Sequence, residues 1–229
     1  MVFKIIRFPG SNCERDCFDI VTRVLGSEGE IIEAHLREPG FDPDCDCVIL
    51  PGGFSYGDYL RAGAIAKAAP IIPALKEHAD RGGLVLGICN GFQILCEIGL
   101  LPGALLTNQS GTFICQEAVL RVAENQNPYT NSFSHGELIH MPVAHAQGNY
   151  FVPADQLNAL RAKRQIILEY VENINGSQIA GVSNESGNVF GLMPHPERCC
   201  EKDLGGIDGL RLFKGILRHT PKLAIMTGN

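Results

Sequence analysis

Leu84-Val85-Leu86-Gly87-Ile88-Cys89-Asn90-Gly91-Phe92-Gln93-Ile94-Leu95 is the stretch that decides the fold. Leu84 to Ile88 reads as a buried strand. Asn90 to Ile98 reads as a helix that is apolar on several sides, and such a helix is buried. Between them, Gly87-Ile88-Cys89-Asn90-Gly91 matches the nucleophile-elbow pattern G-x-S-x-G with cysteine in the serine place. The turn crowds backbone against backbone, so a Cβ at either flank would clash. Cys89 is expected in a strained conformation that pushes its sulfur out at the sheet edge. It also lies at the first turn of a helix, where unpaired N–H groups and the positive dipole end favour a thiolate. A free cysteine is more often a small core residue. The chain has nine of them, and only the elbow spacing separates Cys89 from the others.

Upstream, strands and helices alternate. Val2 to Phe8 predicts a first strand that ends at Pro9-Gly10. Ser11 or Asn12 is placed to cap a helix carrying Cys17, Ile20, Val21, Val24 and Leu25 on one face and ending near Gly26. Glu30 to Leu36 predicts a second strand and Asp46 to Leu50 a third, which stops at Pro51-Gly52-Gly53. Phe54 to Leu60 reads as a loop, the Ala-rich run Arg61 to Ala69 as a helix, and Ile71 to Asp80 as another, with Pro73 tolerable in its first turn. Downstream the pattern changes. Phe113 to Val122, Gly136 to His145 and Ile166 to Val171 read as strands. Ile179 to Ser183 and Val189 to Met193 flank a hairpin turn at Asn184 to Asn188, and a closing helix carries Ile207 to Leu217. The fold class is α/β, with mixed or antiparallel strands added to a mostly parallel core. No linker or repeat divides the chain, so residues 1–229 are expected to form one domain.

Composition excludes several function classes. Apolar residues at 45% suffice for a large core, and a net charge of −6 with scattered Lys and Arg argues against a nucleic-acid partner. The densest basic cluster, Arg161-Ala162-Lys163-Arg164, reads as solvated surface. No stretch approaches the roughly 18 apolar residues that a membrane helix needs. The N-terminal run is short and interrupted by charge, unlike a signal peptide. The protein is therefore expected in the cytoplasm, with reduced thiols. Neither the cysteine spacings nor the clustered His135, His140 and His145 bring a metal-ligand pattern, so no metal is expected.

A cysteine nucleophile needs a base, and the base needs a group to hold its tautomer. His195 directly follows a predicted strand in Met193-Pro194-His195-Pro196-Glu197-Arg198, and prolines fix the backbone on both sides. In an extended segment Glu197 shares its face and can accept the distal imidazole proton. Gly52 and Gly53 sit just past a third strand end, where open α/β sheets place ligands. A surface histidine in a proline-rich turn, a solvated Glu197 and an ordinary Pro-Gly-Gly turn are the bland alternatives.

Together, Pro51-Gly52-Gly53, the Cys89 elbow and Pro194-His195-Pro196-Glu197 resemble the class I, triad-type glutamine amidotransferases. Gly10-Ser11-Asn12-Cys13, Gly52 through Arg61, Cys89 through Leu95, Pro142-Val143-Ala144-His145 and Met193 through Arg198 narrow the resemblance. They look like the glutaminase-subunit branch that serves phosphoribosylformylglycinamidine synthases, over about residues 2–218. The resemblance implies a flavodoxin-like three-layer sandwich. It implies that Cys89 attacks the carboxamide of L-glutamine, with His195 as base and acid and Glu197 orienting it. It assigns the oxyanion hole to the N–H groups of Gly53 and Asn90, and substrate contacts to Gly52 and Gln93; the alternative for Gln93 is a capping or solvated residue. The ammonia would pass to an ATP-dependent synthetase in purine biosynthesis. The chain lacks a G-x-x-x-x-G-K-[ST] loop, so no cofactor is expected here; ATP and Mg belong on a PurL-like synthetase subunit, with a small PurS-like bridging subunit. A start at Met1 with no linker favours separate subunits. One departure stands out: a glycine and an acidic residue are expected after His145, and Ala146-Gln147 follow instead. His145 is therefore not counted among the site residues. The competing readings are a DJ-1/PfpI-like cysteine hydrolase, which lacks the His195-Pro196-Glu197 pairing in this form, and a non-catalytic docking scaffold.

Overall fold

The computed structural model describes residues 1–36 and 45–219. In chain order the elements are β1 (Val2–Arg7), α1 (Glu14–Asp19, widening into a π-turn at Ile20–Val24), β2 (Glu28–Glu33), β3 (Cys47–Leu50), α2 (Ile72–Asp80), β4 (Leu84–Ile88), α3 (Asn90–Glu97), β5 (Ala104–Leu106), β6 (Ile114–Val122), β7 (Leu138–His145), β8 (Asn149–Phe151), α4 (Ala154–Ala162), β9 (Ile166–Tyr170), β10 (Ile179–Ser183), β11 (Val189–Leu192) and α5 (Asp208–Arg218).

A nine-stranded sheet runs β2-β1-β3-β4-β11-β10-β9-β6-β7. The first five strands are parallel, and the last four join them by antiparallel pairing. This is the expected α/β architecture with antiparallel additions. β3, β4 and β11 are buried along their whole length, as continuous apolar runs in a covered parallel sheet should be. Tyr129, itself fully buried, ties the start of the two central strands together: its hydroxyl donates to the Asn188 carbonyl and accepts from the Val85 N–H.

One topological fact positions the site. β11 comes late in the chain yet lies beside β4, with Leu192 paired to Ile88. The pairing extends one step further, because the Cys89 N–H donates to the Leu192 carbonyl at 2.8 Å. Residues that follow the two strands therefore emerge side by side at the carboxyl ends of the parallel strands.

Three local expectations need correction, and one part of the fold was not foreseen. The Ala-rich run Arg61–Ala69 is not a helix; only Ala66–Ala68 makes a 3-10 turn. Gly63 adopts φ +78° with its backbone pressed on α3, where a Cβ would lie 2.9 Å from the Ile94 nitrogen, so packing overrides alanine's helical preference. Neither Ser11 nor Asn12 caps α1. Ser11 Oγ accepts the Phe8 N–H, and Asn12 Oδ1 accepts the Cys13 S–H. The helix α4 and the small β5–β8 pair have no counterpart in the sequence reading, because their apolar content is too slight to set a period. Last, Glu197 is not in an extended segment. Pro196–Arg198 forms a 3-10 turn, and that turn, not a strand pleat, brings its carboxylate back to His195.

Candidate active site

Cys89 stands between β4 and α3 with φ +50° and ψ −103°, a strained conformation for a residue with a side chain. The flanking glycines explain how the chain tolerates it. A Cβ on Gly91 would lie 2.0 Å from the Leu50 carbonyl oxygen, and one on Gly87 would lie 2.5 Å from Leu95 Cδ1 and 2.8 Å from the Gly91 carbonyl carbon. Close packing of α3 on β3 and β4 therefore demands glycine at both flanks. Cys89 is 5% exposed, and its S–H faces the Ala144 carbonyl at 3.6 Å. All nine cysteines are free thiols. Burial pushes the thiols of Cys17, Cys47 and Cys96 up, which suits inert core residues.

His195 begins three residues past the end of β11, and its N–H donates to the Pro142 carbonyl at 2.8 Å. The ring is 2% exposed, and Nδ1 donates to Glu197 Oε1 at 2.6 Å, so β7 and the 3-10 turn together fix its place. Burial disfavours the imidazolium, but Glu197, and after it Cys89, outweigh burial and hold the pKa well above 6.5. Nε2, on the other side of the ring, has no protein hydrogen-bond partner among the described residues. The site thus holds a cysteine sulfur, an imidazole whose Nε2 has no partner among the described residues, and a fully buried carboxylate on Nδ1, the group types that nucleophilic catalysis by cysteine needs.

A small cavity of about 30 Å³ lies over Cys89. Gly53, Phe54, Asp58, Gln93, Ala144, His145, Ala146 and Gln147 complete its wall. As the first residue of α3, Asn90 has an N–H with no acceptor inside the helix. Gly53 pairs with Ser11 through bonds made by its neighbours Gly52 and Phe54, which leaves its own N–H outside the pairing. Gln93 lines the cavity, but both ends of its side chain are engaged: Nε2 donates to the Gln147 carbonyl at 2.7 Å and Oε1 accepts from Asn90 Nδ2 at 2.9 Å. Gly52 is the one site residue that belongs elsewhere. It is buried behind His195, where a Cβ would lie 2.7 Å from ring Cε1 and 3.3 Å from Cys13 Sγ. Its smallness makes room for the imidazole, and it does not line the cavity.

Sequence reasoning missed three groups here. Asp58, which accepts from Asn90 Nδ2 at 3.2 Å, has its carboxyl pushed up to about 6, chiefly by burial and against that hydrogen bond. His145 is 3% exposed at the end of β7, and burial, then the nearby His195, lower its pKa to about 4. Cys13 lies with Sγ within 4.8 Å of donor atoms of both His195 and Glu197, and Arg198 donates to it at 3.2 Å. The strand-end rule that selected His195 applies equally to His145. The other histidines of its cluster do not converge with it: His140 is on the surface against Glu117, and His135 lines a separate cavity. Cys13, His195 and Glu197 are spaced to ligate a cation. The His195–Glu197 hydrogen bond and the Arg198 guanidinium already occupy that space, so these residues fit a metal poorly. A larger depression of about 840 Å³ lies between α1 and the Glu197–Leu204 segment, and Cys89 does not line it.

Residues 2–204 match the CobB/CobQ-like glutamine amidotransferase domain family. The chain is 51% identical over 223 residues to the phosphoribosylformylglycinamidine synthase subunit PurQ of Alkaliphilus metalliredigens, covering 96% of each chain. It belongs to the PurQ family of glutamine amidotransferases. The PurQ of Moorella thermoacetica is 50% identical, with 95% of each chain covered. Among solved structures, PurLQS from Thermotoga maritima superposes with a TM-score of 0.86 at 47% identity, covering 94% of this chain and 97% of that one. The chain is thus an enzyme subunit of the glutaminase type.

Proposed function

We propose that this chain is the glutaminase subunit of a phosphoribosylformylglycinamidine synthase, and that Cys89, His195 and Glu197 do its chemistry. Cys89 Sγ attacks the carboxamide carbon of L-glutamine, its proton held on His195 Nε2. The oxyanion that forms is held by the N–H groups of Gly53 and Asn90, each worth ~3 kcal/mol of transition-state stabilisation. The tetrahedral adduct collapses, His195 returns the proton to the leaving nitrogen, and ammonia departs from a γ-glutamyl thioester. Water, activated by His195, then attacks the thioester; glutamate leaves and the Cys89 thiol is restored. Glu197 keeps Nδ1–H in place through both halves, so Nε2 is always the nitrogen that faces the reaction. Gln93 contributes by bracing the cavity wall.

The observation that carries this reading is the alignment of the β4 and β11 ends, which sets Cys89 beside the buried His195–Glu197 pair. The family membership supplies the substrate. Ammonia passes to a PurL-like synthetase, which holds the ATP and Mg, with a PurS-like subunit bridging the two; the whole acts in the cytoplasm, and residues 1–229 serve as one glutaminase domain. A cavity of about 30 Å³ holds a water and not glutamine, so its wall must give way when substrate enters.

The test reconstitutes the chain with synthetase and bridging subunits, ATP and formylglycinamide ribonucleotide. Cys89→Ala abolishes turnover driven by glutamine and leaves turnover driven by added ammonia intact. Glutamine-driven turnover that survives Cys89→Ala defeats the mechanism.

A further inference from the structure

His145 carries a proton whose place can be deduced. Asn108 Oδ1 accepts the Gly148 backbone N–H at 2.9 Å; a backbone N–H only donates, so that atom is the carbonyl oxygen of the side chain. Asn108 Nδ2 confirms the orientation by donating to the carbonyls of Thr112 and His145, both at 2.9 Å. His145 Nδ1 lies 3.1 Å from that same Oδ1 and must therefore be the donor. The other ring nitrogen, Nε2, is left with a bare lone pair. It is buried, and no protein atom among the described residues donates to it. Burial and the neighbouring positive ring of His195 keep the imidazole neutral at pH 7, so the tautomer persists.

The ring has no freedom to escape this position. It lies flat on Gly148, where a Cβ would come within 2.3 Å of Cε1. A buried acceptor without a donor is costly, and such groups in native proteins are met by water or ligand. The wall that His145 forms is shared with Cys89.

We propose that His145 Nε2 accepts an N–H of bound L-glutamine, making it a substrate-selecting residue of the Cys89 cleft. The inference rests on the glutaminase reading of that cleft. Glutamine offers two such donors, the side-chain carboxamide and the α-ammonium. A carboxylate offers none, so an acceptor aimed at the carboxamide also expels the glutamate product. Asn108 acts through His145 as a positioning residue, because it fixes which nitrogen is bare.

Steady-state glutaminase kinetics on the assembled complex test this with His145→Leu, His145→Gln and Cys89→Ala in parallel. His145→Leu raises KM for glutamine about tenfold with kcat little changed, the loss of one uniformly used hydrogen bond. His145→Gln, whose Oε1 reaches near the lost nitrogen, restores KM to within about threefold of the parent. Two analogues separate the donors: glutamic acid γ-methyl ester lacks the carboxamide N–H, and glutaramic acid lacks the α-ammonium. The His145→Leu defect disappears for whichever analogue lacks the donor concerned. An unchanged KM in a folded His145→Leu protein, or a defect that persists with both analogues, overturns the proposal. If His145→Leu fails to fold, His145→Gln and His145→Ser decide it: Gln must keep the parent KM and Ser must lose it. Activity surviving in Cys89→Ala instead overturns the reading of the cleft itself.

Discussion

The ends of β11 and β7 each lead to a buried histidine, His195 and His145, and the two rings meet opposite surroundings. His195 faces the carboxylate of Glu197 and the sulfur of Cys89, so it is held charged despite burial. His145 faces an amide oxygen and another imidazole, so burial wins and it is held neutral. On the proposed mechanism the same side chain, at two ends of one sheet, serves as a proton carrier in one place and a fixed acceptor in the other. What differs is the partner of Nδ1: an anion raises basicity and leaves Nε2 able to move a proton, whereas a neutral oxygen only fixes a tautomer.

The largest test of this contrast is kinetic. His195→Gln lowers kcat for glutamine on the order of 10⁴-fold, because the proton has no carrier. The loss seen in His145→Leu is far smaller and falls on KM. Stopped-flow measurement of glutamate release reads both, and equal losses in kcat would erase the distinction. Next comes stability. Glu197→Ala leaves His195 buried beside no anion, which costs about 3–5 kcal/mol in urea unfolding. Glu197→Gln keeps the hydrogen bond and costs less.

The pH dependence of unfolding runs in opposite directions for the two rings. A pKa raised by folding gives stability that is complete below the unfolded value of 6.5 and is lost as pH rises through the folded one, so the His195–Glu197 pair weakens on the alkaline side. A histidine pKa lowered from 6.5 to about 4 acts the other way. Its cost is absent above 6.5 and grows on the order of 3 kcal/mol as pH falls towards 4. Urea midpoints from pH 4 to 10 therefore flatten on the acid side in His145→Gln and on the alkaline side in Glu197→Gln. The smallest effect belongs to Asp58. Its carboxyl titrates near 6 because burial disfavours the anion, so Asp58→Asn raises Tm slightly at pH 8. That gain shrinks as pH falls through 6 towards 3.8, and a gain that grew with acidity would contradict it.

A second pair of regions explains why some of this was legible and some was not. Cys89 and the Tyr56–Leu60 segment both carry positive φ on residues other than glycine. At the elbow the strain is written in the chain, since it needs glycines two residues to either side. In the loop, Tyr56, Asp58 and Leu60 adopt φ of 52°, 53° and 72° with a single glycine among them, and no spacing rule foretells it. The loop is held from outside: Asn90 Oδ1 accepts the Ser55 N–H, Glu97 clasps Arg61 through two bonds, and Gln147 Oε1 accepts the Ala62 N–H. The departure at Ala146-Gln147 from the family's pattern is thus compatible with a built contact, since that contact needs only a side-chain oxygen at residue 147.

The sequence alone determined the strand–elbow–helix and the strand-end placement of His195, because local steric needs and fixed spacings write these directly, and its motifs carried the family by resemblance. Only the tertiary structure decided that β11 lies beside β4, that Gly52 makes room for the His195 ring, that a 3-10 turn joins Glu197 to His195, and that His145 joins the cleft with its lone pair bare. Those facts depend on which distant strands pair and on how closely backbones pack, and a strand's own residues record its burial without recording its neighbour.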